Sequence, residues 1–191
     1  MTSAPIRTPR LDLVAQTPAL ADADLAAFTV GGTGALARLL GAAVPPSWPP
    51  GEYDLPALTY FADRLRAGGA AVAGWYGWYA LLRAREAARE GAPVLVGFAG
   101  FVGPPSGGGE VEIGYSVVEG FQRRGYATEM ARALVARAFA TPGVARVRAH
   151  TFPDHVASIR VLERCGMVHV GVGEEAGTVR YAAAREDAAR G

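Results

Sequence analysis

The chain has 191 residues, which suits one domain, and half of them are apolar, enough to fill a core and to exclude wholesale disorder. Its formal charge is +1 and its nearest approach to a basic stripe is Arg123-Arg124, so a general nucleic-acid binder is excluded while a small anionic ligand is not. No apolar run has the length of a membrane span, the opening MTSAPIRTPRLDL lacks the apolar stretch of a signal peptide, and the lone Cys165 permits no intrachain disulfide; a cytoplasmic protein without a membrane partner is expected.

In chain order, residues 10–15 alternate as a first strand. Thr17-Pro18 reads as a helix cap with proline at the first helical position, opening a helix that runs toward Gly31-Gly32. Residues 41–56 hold Pro45-Pro46-Ser47-Trp48-Pro49-Pro50 and are expected as a surface loop, since prolines exclude ordinary helix and central strand. A second helix follows, with Leu58, Phe61, Ala62 and Leu65 on one face and Gly68-Gly69 at its end. Residues 75–82, 93–102 and 110–118 read as strands, and the charged segment 83–90 as either a short helix or a long hairpin loop. Residues 126–140 carry apolar side chains at helical spacing, 144–152 read as a strand, 158–165 as a helix stopped by Gly166, and 167–172 and 178–184 as a closing pair of strands. The order predicts an α/β (α+β) fold. Its mixed, mostly antiparallel sheet has about seven strands and is covered by about four helices.

The most informative stretch is Gly120-Phe-Gln-Arg-Arg-Gly-Tyr-Ala-Thr128, between a strand and the clearest helix. Such a turn can point free backbone N–H groups at one place, where the helix start adds partial positive charge. Phosphate oxygens fit that arrangement, with Gly125 allowing close approach and Arg123 and Arg124 flanking. Neither the triphosphatase GxxxxGK pattern nor a dinucleotide GxGxxG is present, and a plain strand-to-helix turn would also use glycine here.

The chain from about residue 7 to 184 resembles the GCN5-related N-acetyltransferase (GNAT) superfamily, and most of all its ribosomal-protein N-terminal acetyltransferase (RimJ/RimL-type) branch. Gln122-Arg-Arg-Gly-Tyr-Ala127 matches the superfamily's pyrophosphate motif, Glu110-Val-Glu-Ile-Gly-Tyr115 the strand before it, residues 154–167 (DHVASIRVLERCGM) the branch's late signature, and Pro9-Arg10-Leu11 its opening. The resemblance implies one such domain over residues 7–187, with residues 1–6 and 188–191 as flexible termini. It also implies strands splayed at an acyl-coenzyme A site, and acetyl transfer from acetyl-CoA as cosubstrate to a primary amine of a protein, peptide or small molecule. The protein would act as a monomer or homodimer. Backbone amides of Gln122, Arg123, Arg124, Gly125, Tyr126, Ala127 and Thr128 would hold the pyrophosphate, and Val117, Val118 and Phe121 would border the pantetheine arm. The chain departs from the late signature at His155, where asparagine is usual. It also has Leu162 where some relatives carry a tyrosine acid.

Acetyl transfer needs a neutral amine, so a carboxylate near the acceptor can take its proton. Glu112 is the first candidate base; Glu110 shares its face by alternation, and both could instead be surface charges at a hairpin end. Ser158 is expected to cap the late helix, to touch the cofactor, or to serve as general acid. His155, at the cofactor side, is expected to hold the neighbouring strand through a ring nitrogen. Cys165 reads as buried filler, and His150, His155, Cys165 and His169 have no metal-ligand spacing. Trp48, on the proline-rich loop, is the expected substrate-facing aromatic. The rival class is a binding or regulatory module that keeps the fold without turnover.

Overall fold

The computed structural model describes residues 3–86 and 91–185. Its strands are β1 (Ile6–Arg7), β2 (Leu11–Ala15), β3 (Gly77–Leu82), β4 (Val94–Phe101), β5 (Glu110–Val117), β6 (Arg146–Thr151), β7 (Val168–Val172) and β8 (Val179–Ala184). Its α-helices are α1 (Pro18–Val30), α2 (Gly34–Leu40), α3 (Leu55–Gly68), α4 (Tyr126–Ala140) and α5 (Val156–Arg164). The strands form one eight-stranded sheet in the order β1-β2-β3-β4-β5-β6-β8-β7. All neighbours are antiparallel except β5 and β6.

The mixed sheet and its helical cover match the sequence expectation, with β1 and α2 in addition. Neither is long enough to write a period: β1 has two residues, and α2 has seven with only Leu36 buried. Residues 84–86 form a single 3₁₀ turn, and the rest of the ambiguous segment, 87–90, lies outside the described residues. The terminal segments divide likewise. Ile6 pairs with Leu13 and Ser3 Oγ accepts from Arg137 Nη2 at 3.3 Å, so residues 3–6 are held against the fold rather than free, while 1–2 and 186–191 lie outside the described residues.

Local signals explain the helix limits. The Thr17 side chain accepts from the Leu20 amide at 3.2 Å, with Pro18 at the start of α1; Asp54 does the same for Ala57 at the start of α3, with Pro56 in its first turn. Gly31 and Gly69, both at positive φ, end those helices.

The sheet buries both faces. On one, Leu11 and Leu13 of β2, Trp78 of β3 and Ile113 of β5 pack with Met130 and Leu134 of α4. On the other, Tyr79 and Leu81 of β3 and Phe98 of β4 pack with Leu20 of α1, Leu36 of α2 and Leu58 of α3. Strand alternation therefore assigns β5 two sides: Val111, Ile113 and Val117 belong to the α4 core, and Glu110, Glu112, Gly114 and Ser116 face the α1–α3 side.

The feature that positions the site is a divergence. Parallel pairing of β5 with β6 covers Glu110–Arg146, Val111–Val147 and Glu112–Arg148, and then stops. Meanwhile β5 keeps its antiparallel register with β4 as far as Gly97–Val117. Beyond Glu112 the two central strands are splayed.

Candidate active site

At the open end of the splay, the chain leaves β5 through a short 3₁₀ turn and enters α4. Gln122 is extended, Arg123 has φ +59° and Gly125 has φ +82°, so the backbone twice enters the left-handed region just before the helix. The N–H groups of Arg123 through Thr128 make no hydrogen bond among the described residues; the first amide engaged is that of Glu129, to the Gly125 carbonyl at 3.1 Å. These donors, at the positive end of a 15-residue helix, fit a pyrophosphate. Gln122, Arg123, Arg124 and Gly125 are exposed, Ala127 and Thr128 are half-buried, and the Tyr126 ring is buried. Gln122 Nε2 donates to the Val117 carbonyl at 3.1 Å and Arg124 Nη2 to the Gly120 carbonyl at 3.2 Å, which ties the turn to the strand it follows.

A contact from the far end of the sequence braces this turn. Arg10 donates through Nη1 to the Arg124 carbonyl at 2.8 Å and through Nε to Glu129 at 2.8 Å, and its guanidinium lies 4.5 Å over the Tyr126 ring. Glu129 also accepts from the Arg10 amide and from the Thr8 hydroxyl. Burial alone would raise the Glu129 carboxyl, but the hydrogen bonds from Thr8 and Arg10 and the Arg10 charge outweigh it and hold the group below its ordinary value.

Along the splay, register divides Val117 from Val118. Val118 gives its N–H to Val96 and its carbonyl to the Phe121 amide, and its side chain is buried; neither backbone group is free. In this antiparallel pair Ile113, Tyr115 and Val117 are the positions whose backbone groups point away from β4, toward the opening. The Tyr115 side chain crosses to α5, its hydroxyl 3.1 Å from Ser158 Oγ and 3.2 Å from the Ser158 carbonyl. Burial raises its phenol well above the ordinary value, so it is a neutral O–H. Ser158 is thus held by Tyr115 and is not a cap: the residue preceding α5 is His155, which makes no side-chain capping bond. The His155 ring is exposed and without a hydrogen bond among the described residues, so the expected tether to a strand is absent. Cys165 is half-buried, its thiol pushed up to about 11 by burial, which suits filler rather than a nucleophile.

The two carboxylates of β5 are separated by the divergence. Glu110 lies in the closed part, paired with Arg146 at 3.2 Å. Glu112 holds the last paired position, its Oε1 3.1 Å from His150 Nδ1 and its Oε2 3.3 Å from Arg148 Nε. Each oxygen keeps a second lone pair for a proton or a water.

On the α1–α3 side, a pocket opens between Tyr53, Phe61 of α3, Phe98 and Gly100 of β4, and Gly114 to Ser116 of β5. Trp48 does not face it. Trp48 is 8% exposed, and its indole donates to Asp24 Oδ1 at 2.7 Å. Asp24, itself buried, also accepts from Tyr53 at 3.0 Å and Tyr79 at 2.9 Å, and Gln16 Nε2 reaches both hydroxyls. The proline-rich segment is a surface loop, with Pro46, Ser47, Gly51 and Glu52 exposed, but Trp48 and Tyr53 turn inward from it: the tryptophan finds a buried acceptor that no local pattern announces. In the sequence Arg10 and Tyr115 stand only as motif residues and His150 only as a rejected metal ligand, and the Asp24 network leaves no local sign, because each acquires its partner across distant segments.

A family model described as "Acetyltransferase (GNAT) domain" matches residues 16–168. An uncharacterized N-acetyltransferase, YjdG, of Bacillus subtilis is 34% identical over 74 residues, 39% of this chain and 44% of that protein. The chain thus spans less than half the length of the curated relatives it matches. Among solved structures, a putative ribosomal-protein-serine acetyltransferase from Vibrio cholerae superposes with a TM-score of 0.61 at 21% identity, covering 96% of this chain and 99% of the other. The ribosomal L7/L12 α-N-protein acetyltransferase in complex with coenzyme A gives 0.58 at 18% identity, covering 94% and 97%. The family match, the mixed sheet and the splay beside a strand-to-helix turn with free amides lead to one conclusion: the chain belongs to the GNAT acetyltransferase family.

Proposed function

We propose that this protein transfers an acetyl group from acetyl-CoA directly to a primary amine, with both substrates bound together. The reading rests on the turn at Arg123–Thr128, whose free amides meet the splayed strands beside a separate pocket. In this reading the turn binds the pyrophosphate and the pantetheine arm follows the backbone of Val117 and Tyr115. The thioester then lies where the splay meets the Gly114–Ser116 face. Acetyl-CoA supplies the thioester carbonyl. The protein supplies position, a proton acceptor and a backbone N–H toward the developing oxyanion. Glu112 receives the amine proton, directly or through water, and the neutral nitrogen bonds to the carbonyl carbon. The carbon–sulfur bond breaks, the acylated nitrogen gives up its surplus proton to solvent, and the thiolate takes up one proton to leave as free thiol. In this reading the Tyr115–Ser158 pair stands on the cofactor side, with Ser158 as the donor of that proton and solvent returning one to its hydroxyl. A cytoplasmic setting belongs to the same reading. The test is incubation with acetyl-CoA and a panel of primary amines, read by thiol release and product mass. Transfer above background is expected, lost in Gly125→Val together with coenzyme A binding. Thiol release without an acetylated product would oppose the proposal.

A further inference from the structure

We infer that the preferred acceptor is a primary amine carrying an aromatic ring on a short alkyl arm, either as a free arylalkylamine or as the first residue of a peptide. The inference rests on the acetyltransferase reading above and names the acceptor class for that site.

The pocket is built for a flat apolar group. Tyr53 and Phe98 stack at 3.6 Å with an interplanar angle of 15°, and Phe61 meets Phe98 at 5.5 Å, so the rings form one joined wall. Tyr53 cannot swing out of that wall easily, because its hydroxyl is fixed by Asp24 and Gln16 behind it. The floor is bare at one position. Gly100 and Gly114 lie opposite each other in register; a Cβ at Gly114 would meet nothing within 4 Å, whereas one at Gly100 would meet the Tyr76 carbonyl oxygen at 2.7 Å, so the open space lies over Gly114. An aromatic ring entering over Gly114 finds aromatic edges and faces at its side and backbone beneath it.

The charges select for one ammonium group rather than several. Among the described residues, Glu52 is the only carboxylate lining the pocket. Asp54, Asp63 and Glu174 do not line it and have partners of their own: Asp54 caps α3, Asp63 pairs with Arg66 at 2.9 Å, and Glu174 pairs with Arg148. A polyamine or aminoglycoside would find no second acidic partner in the pocket, whereas a single amine needs none beyond Glu52 on the way in and Glu112 at the reaction end. Glu112, Gly114 and Ser116 share one face of β5, so the Glu112 Cα stands about 7 Å along the strand from that of Gly114, a spacing that a short alkyl arm between ring and amine suits.

The experiment measures kcat/KM with acetyl-CoA for 2-phenylethylamine, ethylamine and spermidine, and for tripeptides beginning with Phe or Ala. 2-Phenylethylamine should exceed ethylamine by about 10- to 100-fold, the factor expected from burying a phenyl ring, and the Phe peptide should exceed the Ala peptide. The ratio of 2-phenylethylamine to the Phe peptide then distinguishes a free amine from a chain terminus as the source. Phe61→Ala and Gly114→Val should each lower the 2-phenylethylamine-to-ethylamine ratio by roughly fivefold or more, through the lost wall contact or the filled floor. That ratio is independent of the fraction of active protein. Equal use of ethylamine and 2-phenylethylamine would overturn the inference while leaving the acetyltransferase reading intact, as would a preference for spermidine that falls with added salt. A ratio unchanged in both variants would overturn the assignment to this pocket. Absence of transfer to every amine, in protein that binds coenzyme A, would overturn the acetyltransferase reading itself and this inference with it.

Discussion

Glu112 is the side chain on which the proposed chemistry makes its sharpest demand. It stands at the last paired position before the strands diverge, held by His150 and Arg148 at 3.1 and 3.3 Å. Glu112→Gln preserves the shape and removes the proton acceptor, so turnover should fall by roughly 10²-fold or more while coenzyme A affinity, measured by calorimetry, is retained. Turnover near that of the wild type across a pH series would transfer the role to water. At this scale the sequence reading was uneven, for a physical reason. Period-two alternation places Glu110 and Glu112 on one face but carries no information on where a neighbouring strand departs. The departure point sets Glu110 inside the closed part and Glu112 at its edge. Trp48 failed in the opposite direction. Its loop was correctly read as irregular, yet irregular backbone does not imply an exposed side chain when an indole N–H can reach a buried Asp24.

The element that decides cofactor binding is the start of α4, and its electrostatics contain a conflict. Glu129 puts a carboxylate in the first turn, where a pyrophosphate would also sit. Arg10 resolves it, pairing with Glu129 at 2.8 Å and holding the Arg124 carbonyl at the same distance. Arg10→Ala should therefore weaken coenzyme A binding by about tenfold, through lost bracing and a carboxylate left uncompensated beside the phosphates. Adding Glu129→Gln to that variant should restore much of the affinity, since the repulsion is then gone. If Arg10→Ala leaves calorimetric affinity unchanged, or if the second substitution weakens it further, Arg10 is not acting as a counter-charge. The Gly125 turn itself was legible, because glycine before an apolar-periodic helix is a local signal. In the sequence Arg10 is one residue of an opening motif; its partner lies 119 residues away and spacing cannot express that. The longer helices were legible from caps and terminal glycines, while β1 and α2 were too short for any period to show.

For the molecule as a whole, the buried polar cluster joins α1, the proline-rich loop and β3 into one support behind the pocket. Asp24 is raised above its ordinary value chiefly by burial, with the donated bonds of Trp48, Tyr79 and Tyr53 opposing the rise. Asp24→Ala leaves those donors without their acceptor and should cost about 2–4 kcal/mol. The midpoint of thermal unfolding should then fall by roughly 10 °C. A shift within a degree or two of the wild type would mean the loop is fixed by its apolar contacts alone. This support was invisible in the sequence, since Gln16 and Asp24 at α1, Tyr53 on the loop and Tyr79 on β3 come from three separate segments. By contrast, the mixed sheet with its helical cover could be read from the order of elements, though not the division of helices between its two faces. The central claim is direct transfer between two substrates bound side by side. It is tested by a single-turnover reaction with acetyl-CoA and an amine, quenched at intervals and analysed for the masses of amine and intact protein. Acetylated amine should appear in step with free thiol while the protein mass stays unchanged throughout; an acetylated protein that forms first and decays as the amide appears would contradict it.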